Sequence, residues 1–248
     1  MLTGLSFLDH GVTNRRHILP KSVTTLAESL QQRGYRTSCY SANPHHGIGR
    51  GLGQGCDTFE ELWHERNRTA AIDPHVMSAL ATKALTENLD SPQFFMLHYI
   101  PPHEPYAPRP EFDLFGNDQY AGEVDGTVRT LRRINRGRLI PTEDDLNELI
   151  ALYDGNLRMA DDGVGLVLDT LRQRDRWDQT VVLVTSDHGE AFLEHGRVGH
   201  NTPVYDELLR VPFILRVPPG VVTSEIDTRQ FVSLEDVVPT LLGLTEVP

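Results

Sequence analysis

An acidic residue and a histidine stand side by side at the end of a run of β-forming residues. Residues 180–184 are Thr-Val-Val-Leu-Val, and Asp187, His188 and Gly189 follow shortly after them. Open α/β sheets bind ligands at the carboxyl ends of their strands. A carboxylate beside an imidazole suits a divalent cation that holds an anionic substrate. The alternative is a strand end with a capping aspartate and an uninvolved histidine.

Further histidines follow other predicted strands. The strand predicted at residues 35–42 leads to His45, the strand at residues 93–100 leads to His103, and His200 lies shortly after the aspartate–histidine pair. Parallel strands would bring these loops to one edge of a sheet. A cation flanked by imidazoles would bind a tetrahedral oxyanion ester and protonate its leaving oxygen. Taken singly, each of these histidines is more often a surface or hydrogen-bonded residue.

The elements that must position these residues alternate between helix and strand. This alternation predicts an α/β fold with a mainly parallel central sheet and helices on both faces, in a single domain over residues 1–248. Residues 107–140 are polar and weakly periodic, so we expect a surface excursion or a lid there. The predicted strands are residues 35–42, 93–100, 180–184 and 211–217, and the predicted helices are residues 22–33, 74–88, 142–171, 204–209 and 234–242.

Composition limits the kind of partner. The net charge of −12 argues against a nucleic-acid-binding protein. No apolar run approaches the roughly 20 residues of a transmembrane helix, and the first residues do not form a secretory signal, so we expect a cytoplasmic location by default. Cys39 and Cys56 have no metal-site spacing and predict no disulfide framework, so we expect free thiols.

Several short motifs, in order along essentially the whole chain, resemble those of the sulfatase family of the alkaline phosphatase superfamily. The resemblance implies an alkaline-phosphatase-like fold and metal-assisted hydrolysis of a sulfate ester. The motifs are Leu2-Thr3-Gly4, His10-Gly11-Val12, Thr25-Leu26-Ala27, Gly34-Tyr35-Arg36-Thr37, Pro102-His103-Glu104-Pro105-Tyr106, Thr185-Ser186-Asp187-His188-Gly189-Glu190, Glu194-His195-Gly196, Gly199-His200, Arg210-Val211-Pro212 and Val238-Pro239-Thr240-Leu241-Leu242.

The resemblance implies a role for each matching residue. It assigns Asp187 and His188 to a divalent metal, which is usually calcium in sulfatases, while manganese and zinc fit some relatives. His103 would contact the transferred group and protonate the leaving oxygen. His200 stands where many members have a substrate-binding lysine, and it is expected to serve with His103 in catalysis and in substrate binding.

Two further positions are assigned to substrate binding. His45 lies where the family often has a Lys-x-His pair, and Asn43 takes the place of the lysine. His195 and Glu194 are expected to support their loop.

The chain departs from the family pattern at its start. The family nucleophile is a cysteine, converted to formylglycine in a Cys-x-Pro-x-Arg segment, or a serine or threonine in phosphate-ester relatives. That residue and the paired aspartates of the metal site are not found before Leu2. We therefore expect an N-terminally truncated sulfatase domain that lacks its first strand and the small C-terminal subdomain. Such a chain would turn over little substrate and could self-associate through an exposed sheet edge.

Two different functions also fit the sequence. The chain could be a phosphodiesterase, a phosphonate ester hydrolase or a phosphotransferase of the same superfamily, acting like a sulfatase on a small anionic ester. It could also be a degenerate protein that keeps the fold to bind an anion or a partner without catalysis.

Overall fold

The computed structural model describes residues 1–64, 73–87, 91–201, 203–222 and 230–245. Its helices are α1 (Phe7–His10), α2 (Leu26–Gln31), α3 (Pro74–Glu87), α4 (Val128–Asn135), α5 (Glu143–Gln173), α6 (Asp206–Leu209) and α7 (Val237–Leu244). Its strands are β1 (Arg36–Ser41), β2 (Thr58–Glu61), β3 (Gln93–His98), β4 (Val182–Thr185), β5 (Ala191–Phe192), β6 (Val198–Gly199) and β7 (Phe213–Arg216).

The chain divides into two compact units, and the expectation of a single domain stays a prediction. The first unit comprises Met1–Tyr99, Leu166–Leu183 and Ile214–Pro248, and the second comprises Ile100–Gly165 and Val184–Phe213.

A parallel sheet forms the centre of the first unit. Its strand order is β2-β1-β3, and both neighbours run parallel to β1. In the middle strand, every residue after Arg36 is buried. A buried central strand with parallel partners is typical of an α/β sheet. The predicted fold class is therefore confirmed.

Helix α2 begins later than the sequence pattern predicts. Thr25 is its N-cap: the Thr25 hydroxyl accepts a hydrogen bond from the backbone N–H of Glu28, whose carboxylate accepts one from the backbone N–H of Thr25. This reciprocal capping box fixes the helix start at Leu26. The prediction of a helix from residue 22 was wrong because it gave the apolar spacing more weight than the cap.

Cys39 and Cys56 form a disulfide, so the expectation of free thiols was wrong. Their Cα atoms are 6.0 Å apart, a separation that suits the bond. Cys39 is buried in β1, and Cys56 lies just before the neighbouring strand β2. The pairing of β1 with β2 brings the two cysteines together, which their separation of 17 residues along the chain does not indicate.

A cluster of hydrogen-bonded polar groups joins the loop just before β2 to β1 and α2. The Asp57 carboxylate accepts hydrogen bonds from the backbone N–H of Thr37 at 2.9 Å and from the side-chain amide of Gln31 at 2.6 Å. The Thr37 hydroxyl donates to the carbonyl oxygen of Gly55 at 2.6 Å and accepts from the N–H of Asp57 at 2.9 Å. The hydrogen bonds that the Asp57 carboxylate accepts from the Thr37 backbone, first of all, and from Gln31 lower the pKa of Asp57. We call these residues the Thr37–Asp57 cluster.

In the second unit, residues 107–140 do not form the surface excursion or lid that the sequence predicts throughout. Thr127 caps α4, and Leu131 and Ile134 of that helix are buried in an apolar core. These two residues have helical spacing, but arginines surround them in the sequence and hide the periodicity. Part of this segment is therefore core and not a surface excursion. The core consists of Tyr106, Val124, Leu131, Ile134, Leu149 and Val198.

The other predicted elements agree with the structure within a few residues at each end. Helices α3, α5 and α7 and strands β1, β3, β4 and β7 occupy the predicted segments. Ser233 caps the short 3-10 turn Leu234–Asp236 that leads into α7. Within the described ranges, no helix combines the length and the apolar character that crossing a membrane would require.

Candidate functional site

The aspartate–histidine pair lies directly after β4 in the second unit. Nδ1 of His188 donates a hydrogen bond to the carbonyl oxygen of Gly189 at 2.8 Å. Because a carbonyl oxygen only accepts, this bond fixes the proton on Nδ1 and leaves Nε2 as the ligand atom. Nε2 of His188 lies 3.8 Å from Oδ1 of Asp187. The two atoms can therefore serve as neighbouring ligands of one cation.

Gly189 lets this turn approach helix α6 closely. Its backbone N–H donates to the carbonyl oxygen of Leu208 at 2.9 Å. A Cβ atom at Gly189 would lie 2.0 Å from the carbonyl oxygen of Glu207. Only glycine fits this approach, which explains the glycine after the Asp-His pair.

The hairpin β5–β6 places Glu190 and His200 opposite each other. Ala191 pairs with Gly199 in the antiparallel ladder, so the residues just outside this pair are neighbours across the strands. Nδ1 of His200 donates to the Glu190 carboxylate, 3.1 Å from one oxygen and 3.3 Å from the other.

A proline-rich loop supplies His103 and Glu104. The His103 backbone N–H donates to the carbonyl oxygen of Ile100 at 2.9 Å, and its Nδ1 donates to that of Glu104 at 2.6 Å. The loop is anchored where Tyr106, which is 1% exposed, enters the core. His103 is thus held at its backbone and ring, with Nε2 left for other contacts.

Three imidazoles come together in this unit. The ring of His200 is centred 4.3 Å from that of His188 and 4.7 Å from that of His103. Nδ1 of His200 also lies 3.3 Å from Oε2 of Glu104. The Glu104 and Glu190 side chains are only 11% and 5% exposed. We call His103, His188 and His200, with these two carboxylates, the histidine cluster.

The charged groups of the cluster change the pKa values of His200 and of the neighbouring Tyr106. The hydrogen bond to Glu190 raises the pKa of His200, against the opposing effect of burial, and the charges of Glu104 and Asp187 act in the same direction as Glu190. Burial, with the nearby charges of Glu190 and Glu104, raises the pKa of Tyr106. His200 therefore tends to be cationic, and the tyrosine keeps its proton.

The structure places Asp187, His188, His103 and His200 in the second unit. His45 and Asn43 belong to the first unit, where the Asn43 side-chain oxygen accepts a hydrogen bond from the backbone N–H of His45 at 2.8 Å. Their role in substrate binding stays a prediction.

Sequence reasoning missed the two buried carboxylates of the histidine cluster. Glu104 follows His103 directly in the proline-rich loop, and Glu190 comes two residues after His188. Their proximity to the predicted site residues was the signal that could have found them. Their burial and their contact with His200 come from the hairpin register and the loop anchor.

The supporting role expected for Glu194 and His195 has a geometric basis. The Glu194 carboxylate accepts a hydrogen bond from the backbone N–H of Phe192 at 2.6 Å, within the β5–β6 turn. His195 pairs with Glu207 at 2.7 Å, and its ring stacks on Tyr205.

The residues fit a divalent cation. Asp187 offers a carboxylate, and His188 has Nε2 free of its intra-loop hydrogen bond. Donor atoms of His103, Glu104 and His200 also lie within 4.8 Å of one another. A carboxylate with imidazoles is a ligand set that manganese and zinc accept, whereas calcium prefers oxygen ligands.

Comparison with known proteins gives consistent matches. The family model described as Sulfatase matches residues 1–247. The endo-4-O-sulfatase of Bacteroides thetaiotaomicron is 28% identical over 178 residues, which are 68% of this chain and 32% of that relative. This chain thus spans about a third of the length of that curated relative.

Solved structures match over the full chain. A protein in complex with its substrate, D-glucosamine-2-N,6-O-disulfate, has a TM-score of 0.74 at 18% identity, covering 100% of this chain and 66% of its own. The phosphonate monoester hydrolase of Agrobacterium radiobacter has a TM-score of 0.76 at 19% identity, covering 100% of this chain and 63% of its own. At such identities, these similarities establish the fold.

Proposed function

The chain belongs to the sulfatase family, and we propose that its histidine cluster serves metal-assisted hydrolysis of a sulfuric ester. The observation that supports this most is the meeting of three imidazoles next to Asp187 at the end of β4. Cationic and proton-donating groups in one place suit a small anionic ester.

Each residue has a proposed role. Asp187 and His188 hold a divalent metal; calcium is the usual ion in the family, and the imidazole of His188 also suits manganese or zinc. The bound metal supplies positive charge for the oxygens of the ester. His200, with its raised pKa, attracts the anionic group. His103 donates a proton from Nε2 to the leaving oxygen, since its Nδ1 is engaged by a carbonyl oxygen. His45 and Asn43 contact the substrate.

A second candidate is hydrolysis of a phosphonate or phosphate ester. The fold is similar to that of a phosphonate monoester hydrolase, which supports this second candidate. Sulfate and phosphonate esters both present tetrahedral oxyanions, so one site could bind either. A phosphotransferase with the same site would transfer the group to an acceptor other than water. A non-catalytic protein would bind the anion without turnover.

The 248-residue chain by itself is expected to turn over little substrate. It contains no Cys-x-Pro-x-Arg segment from which formylglycine could form. Both of its cysteines are joined in the disulfide and cannot act as nucleophiles. Covalent catalysis by this polypeptide would therefore need a nucleophile supplied by another segment.

The test measures sulfate release from D-glucosamine-2-N,6-O-disulfate and from an aryl sulfate, with a phosphonate monoester in parallel. Two forms are compared: the 248-residue chain, and an extended form that adds the Cys-x-Pro-x-Arg segment of a family member, matured to formylglycine. We expect turnover of a sulfate ester only by the extended form, and its loss on removal of divalent metal. A properly folded extended form that cleaves neither ester class would overturn the proposal, and preference for the phosphonate would favour the second candidate.

Self-association is a further proposal. Among the described residues, β3 has a sheet neighbour on one side only, and an unpaired edge offers its backbone groups to another strand. Size-exclusion chromatography with light scattering at two protein concentrations tests this. A monomer at both concentrations would contradict it.

A further inference from the structure

Arginine is concentrated in one short stretch of an otherwise acidic protein. The chain carries 23 lysines and arginines against 35 acidic residues. Between Gly126 and Thr142, however, no aspartate or glutamate occurs. This stretch contains five arginines: Arg129, Arg132, Arg133, Arg136 and Arg138. Helix α4 and the turn after it therefore carry a local excess of positive charge.

Helix α4 turns most of these arginines toward solvent, because its apolar residues occupy the opposite face. Leu131 and Ile134 are buried in the core of the second unit. Arg129, Arg132 and Arg136 are exposed, and their spacing of three and four residues places them along one side of the helix. Three guanidinium groups thus follow one another along an exposed face.

Carboxylates compensate few of these charges. Arg133 pairs with Glu123 at 2.6 Å. Asp125, which precedes the helix, accepts hydrogen bonds from the hydroxyls of Thr127 and Thr130. Within the part of the chain that the structure describes, the other four arginines of the stretch form no ion pair with a carboxylate. Four cationic side chains are therefore available to a partner.

Helix stability alone does not explain the arrangement. Like charges three and four residues apart on a helix repel each other. Arg129 lies in the first turn, at the positive end of the helix dipole, where a cation is unfavourable. Arg132 and Arg133 lie in the last turn and do suit the dipole. An anionic partner would compensate the repulsion that remains.

Hydrogen bonds join the end of α4 to strand β6. The side-chain amide of Asn135 donates to the carbonyl oxygen of Val198 at 2.8 Å, and its oxygen accepts from the N–H of Val198 at 2.9 Å. Arg197 is exposed and donates to the carbonyl oxygen of Asn135, which adds a guanidinium group at this end of the helix. His200 directly follows β6. The arginines thus adjoin the strand that leads to the histidine cluster.

We propose that Arg129, Arg132, Arg136, Arg138 and Arg197, which we call the arginine surface, bind a sulfated polysaccharide chain. A row of cations suits a partner that repeats its negative charges, and a sugar chain can carry sulfuric esters at intervals along its length. Guanidinium groups match the oxygens of such oxyanions with paired N–H groups. The choice of sulfate rests on the proposed function, since a chain held beside the histidine cluster would carry the ester that the cluster cleaves.

The experiment measures the affinity of the 248-residue chain for heparin, a sulfated polysaccharide, by calorimetry at about 0.05 M and about 0.2 M salt. The arginine-surface variant has three substitutions: Arg129→Gln, Arg132→Gln and Arg136→Gln. The matched control has three substitutions at exposed positions of the first unit: Arg15→Gln, Arg33→Gln and Arg174→Gln. Both variants lose the same charge, so a general effect of net charge would be equal in the two.

We expect the heparin affinity to fall about tenfold or more in the arginine-surface variant and by less than about threefold in the control. Because binding to a polyanion releases its counterions, the affinity of the native chain should fall as salt is raised. This dependence should become shallower in the arginine-surface variant and stay the same in the control.

Three results would overturn the proposal: no heparin binding by the native chain, a loss in the arginine-surface variant no larger than in the control, or single-stranded DNA of similar charge binding as tightly as heparin. Circular dichroism checks that each variant is folded. If the triple variant does not fold, Arg136→Gln with Arg138→Gln changes only residues beyond the last residue of α4 and should lower the affinity about threefold or more.

Heparin binding is measured without turnover, so the two proposals fail separately. An extended form that cleaves a sulfate ester, together with a chain that fails the heparin test, would keep the proposed function and remove only the arginine surface. Heparin binding that depends on the arginine surface, without any hydrolysis, would do the reverse.

Discussion

The two polar clusters of this protein, one in each unit, differ in how far their groups are paired. In the Thr37–Asp57 cluster, the carboxylate accepts bonds from Thr37 and Gln31, and the Thr37 hydroxyl both donates and accepts. In the histidine cluster, Oε2 of Glu104 accepts no hydrogen bond from any described residue, although Nδ1 of His200 lies 3.3 Å from it, and two buried carboxylates face one imidazole. A fully paired cluster stabilises a fold, whereas a buried cluster left unpaired is a candidate for binding or catalysis.

The same contrast separates two histidines of one loop region. His200 is 16% exposed and lies between two buried carboxylates, whereas His195 is 46% exposed and pairs with Glu207. Both have an acidic partner, so the presence of an ion pair does not distinguish them. Burial and contact with two further imidazoles do.

The largest expected effect is on catalysis by the histidine cluster. In the extended form, His103→Ala should lower kcat by about 100- to 10,000-fold, because the leaving oxygen loses its proton donor. His195→Ala is the matched control and should stay within about twofold. Steady-state kinetics with a sulfate ester gives both numbers. Equal losses in the two variants would remove the distinction between the histidines.

The disulfide should have the next largest effect, on stability alone. The double variant Cys39→Ser, Cys56→Ser opens a loop closed over 17 residues and should lose about 3 kcal/mol of unfolding free energy. Urea denaturation measures the loss, and the turnover of a sulfate ester by the extended form serves as the control that should not change. If that turnover disappeared while the protein stayed folded, the separation of structural and functional clusters would fail.

The disulfide also bears on location. Such bonds persist mainly in oxidising compartments, so its presence counts against the cytoplasmic location expected by default. The compartment itself stays untested.

Thr37→Val probes the paired cluster with a smaller expected effect. Thr37 is completely buried, and its replacement leaves the carbonyl of Gly55 and the N–H of Asp57 without this partner. The expected loss is about 1 to 3 kcal/mol. Thr13→Val, at an exposed position, should stay within about 0.5 kcal/mol. Similar losses in both variants, measured by urea denaturation, would argue against the cluster as a stabilising unit.

The smallest effect concerns pH. The hydrogen bond from the Thr37 backbone lowers the pKa of Asp57 in the folded state. Its stabilisation is therefore fully present above the unfolded pKa of about 3.9 and is lost as the pH falls through the lower folded value. The stability advantage of the native chain over Asp57→Asn should be constant above about pH 5 and shrink below about pH 4. An advantage that grew on acidification would contradict this sign.

The sequence predicts the fold class well and places the main histidines after predicted strands, because both depend on local patterns; the roles of these histidines stay predictions. The strand before Asp187 and the proline-rich loop around His103 are visible as runs of residue types. The disulfide and the carboxylates around His200 are different, because they depend on which strands become neighbours. Cys56 meets Cys39 only through the β1–β2 pairing, and Glu190 meets His200 only through the β5–β6 register.

Local patterns also failed where composition hid them. Helix α4 buries Leu131 and Ile134 among arginines, so its polar average resembled a loop. For α2, the apolar spacing predicts a start at residue 22. The helix begins later, at Leu26, because Thr25 and Glu28 cap it reciprocally.

The most direct test of the contrast between the clusters is the unfolding free energy of Glu104→Gln in metal-free buffer, compared with Thr37→Val. If the histidine cluster is kept for function, removing its unsatisfied carboxylate should leave stability within about 1 kcal/mol of the native chain or raise it, because buried charges often cost stability. A loss as large as that of Thr37→Val would show that Glu104 stabilises the fold, and would contradict a functional origin for the unpaired cluster.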